Sequence, residues 1–158
     1  FGNLCQRVTT FAIKNCNGKI PDKISFENDD LKILDKFKLN LSLLREKIDN
    51  QDVNFYIEFI VNTLFETNKY FNDQEPWKKK ENIIRLNTIV YTTLEIVRKI
   101  SYMLYPIIPQ SSLNALKIFA IKESEIEFSS LENHNYLKKS SNIYKIDILF
   151  KKIEKKND

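Results

Sequence analysis

Only two glycines and four prolines occur in 158 residues, and so few turn formers exclude a fold of many short strands and hairpins. Cysteine is equally scarce. Cys5 and Cys16 match no zinc-ligand spacing and His134 is the single histidine, so no metal site is expected. We read the two cysteines as reduced thiols of a cytosolic chain, at least one packed as a small hydrophobe, with a disulfide as the alternative. No apolar run reaches the ~18–20 residues that would span a bilayer, and no secretory signal is read at the start. The chain opens on Phe1 rather than Met, the expected mark of a piece of a longer polypeptide. Catalytic signatures are missing too: there is no glycine-rich phosphate loop, and one histidine, in the polar stretch "LENHNYLKK", does not assemble a Ser-His-Asp arrangement. No catalytic residue is assigned.

Apolar residues make up 42% of the chain, enough for one core in a single domain. The formal net charge of +4 permits contact with phosphate without requiring it.

Periodicity predicts helices. Leu4, Val8, Phe11 and Ala12 make one apolar face over residues 1–16, ended by Gly18 and Pro21. Asp29 and Asp30 are N-cap candidates for a second helix to about Asn50, with Leu31, Leu34, Phe37, Leu41, Leu44 and Ile48 inward. Asp52 caps a third to about Phe71, lined by Val53, Tyr56, Phe59 or Ile60, and Leu64. Pro76 closes it, and a fourth helix is expected to begin near Pro76 or Trp77 and reach Tyr105, with Ile83, Ile84, Val90, Leu94, Val97 and Leu104 inward. Pro106 and Pro109 break it, and Ser111 or Ser112 caps a short fifth helix through Phe119. Residues 121–158 are less regular: "YKIDILF" could be extended, and "KKIEKKND" reads as a solvated charge run. The expected class is all-α, an antiparallel bundle of four to five helices over 1–120 with an irregular C-terminal arm over 121–158, forming one domain.

The one tryptophan, Trp77, stands in "NDQEPWKKKE". One reading makes it a cap on the bundle core. The other makes it a platform for an unpaired base, stiffened by Pro76, with Lys78, Lys79 and Lys80 supplying positive potential for phosphates. In "FGNLCQRV", Asn3 and Arg7 are four apart, so a helix sets them on one face, roughly 5–6 Å apart at Cβ. Together they offer the donors and acceptor that match a base edge; the plainer alternative is a helix cap and a solvated arginine. Arg85, Arg98 and Lys99 read as ordinary surface charges, or else as cations tracking an RNA backbone.

"FGNLCQRVTTFAIKNCNGKIP" resembles the opening helix of the anticodon-binding domain of methionyl-tRNA synthetases, which runs G-N-L-x-x-R, an aromatic, then an N-x-x-G-x-x-P-like loop. "NKYFNDQEPWKKKE" is similar to the same family's N-x-Y-x-x-x-x-P-W stretch, carried by Asn68, Tyr70, Pro76 and Trp77. "YPIIPQSSLNAL" is similar to its L-x-P-x-x-P-x-x-A segment, and "ILFKKIE" to its closing L-F-P-R-I-E, with Lys151 and Lys152 in place of proline and arginine. The resemblance implies the helical bundle of class Ia synthetases. It implies that Trp77 stacks on the first anticodon base, and that Asn3 and Arg7 contact anticodon bases with Pro76 in support. It implies tRNA(Met) as partner and a catalytic domain of the same polypeptide that uses ATP and Mg; the H-I-G-H-like and K-M-S-K-S-like signatures of that domain do not occur here. Two alternatives stand beside it. One is the same domain of a different class Ia synthetase; the other is a helical protein-interaction bundle, which would bury Trp77.

Overall fold

The Asp52 carboxylate accepts a 3.2 Å hydrogen bond from the Phe55 amide, satisfying one of the four free N–H groups at a helix start. That cap opens α3 (Val53–Asp73) in a computed structural model that describes residues 1–151. α1 spans Gly2–Asn15, α2 Asn28–Asp49, α4 Ile83–Leu104 and α5 Pro109–Leu116. No strand occurs among the described residues; Lys19 and Asn142 form an isolated antiparallel bridge. The expected all-α bundle is the architecture observed.

Neighbouring helices run antiparallel because the connections are short. Lys47 pairs with Asp52 at one end of α2 and α3 (3.3 Å), and Gln74 bonds Asp29 at the other (3.2 Å). Likewise Tyr56 donates to the Met103 carbonyl (2.8 Å) while Arg85 reaches Gln74 (2.7 Å), fixing α3 against α4. α4 is the central helix: it packs on α1, α2, α3 and α5, and nearly all of its residues from Arg85 to Met103 are buried. A helix apolar on only one face could not fill that position.

Several boundaries and faces differ from the sequence expectation. α2 starts at Asn28 with Glu27 as its N-cap, two to three residues earlier than expected, and neither Asp29 nor Asp30 is the cap. Asp30 lies in the first turn, where its side chain accepts from the Glu27 amide (2.7 Å) and is itself fully buried. Leu31 (37% exposed) and Ile48 (42%) face outward, and Ile33 takes the inward place. α4 does not begin at Pro76. Pro76–Lys78 form a separate 3₁₀ turn, and α4 starts at Ile83 because the Asn82 side chain caps it through the Arg85 amide (3.1 Å). Ile83 and Ile84, expected inward, are therefore exposed in its first turn. α5 begins on Pro109, whose missing N–H costs nothing at a first helical position, so Ser111 and Ser112 are inside the helix rather than capping it.

Residues 121–151 are irregular but seated: 3₁₀ turns occur at Glu123–Glu125 and Phe128–Glu132, the second carrying Leu131, and Leu131, Leu137 and Ile143 enter the core. "YKIDILF" forms no strand; the Tyr144 amide bonds the Ile118 carbonyl at 2.9 Å. Of the expected charge run, all but Lys151 lies outside the described residues.

Arg98 and Lys99 are not surface charges. Both are fully buried, and Arg85 is 6% exposed. The Arg98 guanidinium bonds Glu95 (2.7 Å), the Ser130 hydroxyl (3.1 Å) and the Ser130 carbonyl (3.2 Å), and Glu95 accepts the Leu137 amide (2.7 Å). Lys99 donates to the Leu131 carbonyl and faces His134, which meets Asp35 at 2.8 Å. These buried charges hold residues 130–137 against α4. Burial and the neighbouring Arg98 push the Lys99 amine down to about 7.

Candidate nucleic-acid interface

One face of α1 carries Asn3, Arg7, Thr10 and Lys14 at helical spacing. Opposite it lie Phe71, from the last turn of α3, and Trp77, from the turn that follows. Between them runs an open groove of about 430 Å³. Asn3 and Trp77 are more than seventy positions apart in the chain, and the α1–α3 arrangement brings them to the same groove. Trp77 is 39% exposed. Thus the structure sets three sequence-predicted residues, Asn3, Arg7 and Trp77, along one surface.

The groove floor is aromatic. Phe71 is buried beneath Trp77, with ring centroids 6.2 Å apart and planes at 60°, and Phe11 meets Phe71 edge-on at 5.7 Å. Above this floor the Arg7 guanidinium carbon lies 4.9 Å from the Phe71 centroid and 5.8 Å from that of Trp77. Its Nη2 donates a 2.6 Å hydrogen bond to Asn72 Oδ1. A cation over two ring faces, with one edge anchored, has little rotational freedom left, and its other donors can face a ligand. Among the described residues lining the groove, Arg7 and Lys14 are cationic and none is acidic. That arrangement suits a flat, polar-edged group attached to phosphate.

Trp77 is presented by a tight connection. α3 ends at Asp73, Glu75 takes a left-handed conformation (φ 44°), and Pro76 follows, buried. The turn is closed by bonds from the Lys78 amide to the Glu75 carbonyl (2.9 Å) and from the Lys79 amide to the Pro76 carbonyl (3.1 Å). The indole belongs to this turn and not to α4, although the turn packs against that helix.

The lysines stand apart from the groove. Lys78 pairs with Glu75 at 2.7 Å, and Lys78 and Lys79 border a second depression with Glu27, Glu81 and Arg85; Lys80 borders neither. Phe71 and Asn72 were missed by sequence reasoning. Phe71 reads only as the last apolar position of α3, and nothing local marks Asn72 as the acceptor for an arginine 65 positions earlier. The two thiols are free: Cys5 is buried and Cys16 partly so, and desolvation raises them to about 12 and about 11, which makes both poor nucleophiles.

Residues 20–158 match the family model described as the anticodon binding domain of methionyl tRNA ligase. Methionine–tRNA ligases are among the relatives found by sequence. That of Brucella suis is 35% identical over 82% of this chain and 25% of its own length. That of Thermotoga maritima is 31% identical over 99% of this chain and 25% of its length. That of Rickettsia felis is 35% identical over 97% and 31%. The Thermotoga and Rickettsia matches extend over nearly the whole chain, whereas the family model begins after α1. Among solved structures, Mycobacterium tuberculosis methionyl-tRNA synthetase in complex with methionyl-adenylate superposes with a TM-score of 0.86 at 26% identity, over 96% of this chain and 30% of that one. The chain therefore spans between a quarter and a third of the length of the relatives it matches.

Proposed function

Because the chain belongs to the anticodon-binding domain family of methionyl-tRNA ligases, we propose that its Trp77 groove reads the CAU anticodon of tRNA(Met). In this reading a catalytic domain of the same, longer polypeptide attaches methionine to that tRNA in the cytoplasm, using ATP and Mg. This chain contributes recognition.

The observation that carries the proposal is the convergence of Asn3, Arg7 and Trp77 on one groove, with the indole partly open. The first anticodon base, cytosine, is drawn out of the loop and stacks on Trp77. Its exocyclic amine is a donor and its O2 and N3 are acceptors. The Asn3 amide supplies both kinds of partner, and the Arg7 edge not occupied by Asn72 supplies donors. A wrong base leaves polar groups unpaired in the closed contact, at ~1–3 kcal/mol each. Pro76 acts from behind by stiffening the turn. Lys78, Lys79 and Lys80, which stand outside the groove, are left to phosphates farther along the anticodon loop.

The rival helical protein-interaction bundle required a sealed Trp77, and a 39% exposed indole argues against it. The test is affinity for a CAU anticodon stem-loop. Trp77→Ala is expected to weaken binding by the ~1–3 kcal/mol of one base–aromatic stack, about 5- to 150-fold. Unchanged affinity with unchanged anticodon preference would remove the proposal.

A further inference from the structure

We infer that Gln74, anchored by the buried Asp30–Arg85 pair, is a positioning residue that sets the angle at which Trp77 meets RNA. This rests on the stacking role given to Trp77 above.

Glu75 is a non-glycine residue at φ 44°, immediately before Pro76. Such a conformation persists only where the surroundings over-determine it. The constraint comes from the preceding side chain. Gln74 Oε1 accepts from Arg85 Nη2 at 2.7 Å, and Gln74 Nε2 donates to Asp29 at 3.2 Å. One amide at the end of α3 is thereby tied to both α4 and α2. Arg85 is itself immobile: its Nη1 donates to Asp30 at 2.6 Å, and Asp30 also accepts from the Tyr70 hydroxyl and the Glu27 amide. A planar guanidinium locked to a buried carboxylate gives Gln74 a fixed partner to lean on.

None of Gln74, Arg85 and Asp30 lines the Trp77 groove. Any effect on RNA must therefore pass through the backbone of residues 74–77. Without the amide, the α3 terminus and the left-handed joint lose their tie to the other two helices, and the Pro76–Trp77 unit can swing.

Trp77 is the single tryptophan, so its fluorescence reports this joint without RNA. Gln74→Ala removes both amide contacts and leaves the Asp30–Arg85 pair in place. Gln74→Met does the same at nearly constant volume and serves if the alanine variant does not fold. In the folded variants the steady-state anisotropy of Trp77 is expected to fall. Affinity for the CAU stem-loop is expected to fall about tenfold, the equivalent of one hydrogen bond to a charged group. Gln74→Glu keeps an acceptor for Arg85 but sets a carboxylate against Asp29, and is expected to recover only part of both readings. A lowered unfolding temperature with unchanged anisotropy and affinity would make Gln74 merely structural and overturn the inference. If Trp77→Ala weakens binding while Gln74→Ala and Gln74→Met bind normally, this inference alone falls. If Trp77→Ala binds normally, the stacking reading falls and takes this inference with it.

Discussion

At the scale of single residues, Arg7 and Lys99 show how position decides what a cation does. Arg7 lies over two rings with one edge bonded to Asn72, so its orientation depends on a planar fork. Arg7→Lys keeps the charge and loses both the fork and the ring stacking. We expect it to weaken stem-loop binding by about tenfold with only a small fall in the unfolding temperature, measured by titration and by thermal circular dichroism. Lys99 is the opposite case, a buried amine lowered from 10.5 to about 7. Well below pH 7, both folded and unfolded chains carry its charge. Between pH 7 and 10.5 the unfolded chain keeps a proton that the folded chain has shed, so stability rises with pH, by at most ~1.4 kcal/mol per unit. The buried thiols act the other way, but only above pH 9, their unperturbed value. Denaturant titrations from pH 7 to 9 should therefore show rising stability in the native chain and a flatter profile in Lys99→Met. Sequence could not reveal this burial. The carbonyl that Lys99 meets and the Ser130 that Arg98 meets lie more than thirty residues downstream, in a segment without periodicity.

At the scale of elements, the helices were legible where a cap and a three–four apolar spacing agreed. α3 is the clear case, with Asp52 at its start and Tyr56 and Ile60 inward, although Val53 in its first turn, expected inward, is exposed. The sequence places the start of α4 too early because a proline in a first turn fits a helix start as well as it fits a detached 3₁₀ turn. The cap that decides the matter, Asn82, stands in an otherwise charged stretch. Asp30, a cap candidate by sequence, is a fully buried partner of Arg85 that joins α2 to α4. Burial works against the Arg85 charge, but the bonded carboxylate outweighs it and raises its pKa. Breaking such a pair on one side leaves an uncompensated buried charge. Asp30→Ala should cost ~3–5 kcal/mol of unfolding free energy, whereas exposed Glu66→Ala, which breaks a surface pair with Lys36, should cost ~1 or less. Equal losses in the two variants would contradict the reading of the α2–α4 link.

At the scale of the whole molecule, the bundle serves to bring α1 and the α3–α4 connection to one surface. Periodicity could assign Asn3 and Arg7 to a common helix face and could mark Trp77 as out of place. It could not say that the two meet, because nothing in the spacing encodes which helix α1 lies beside. The family resemblance supplied that expectation, and the groove between α1 and Phe71 supplies the geometry. Phe71 and Asn72 remained unread because their roles exist only once Arg7 is above them. The central claim is that a nucleobase lies on the indole. Its most direct test is Trp77 emission during titration with a CAU stem-loop, with binding followed independently by labelled RNA. Stacking predicts strong quenching that saturates with the binding curve, and far less with a stem-loop whose first anticodon base is replaced. Saturated binding with unchanged emission would contradict the account.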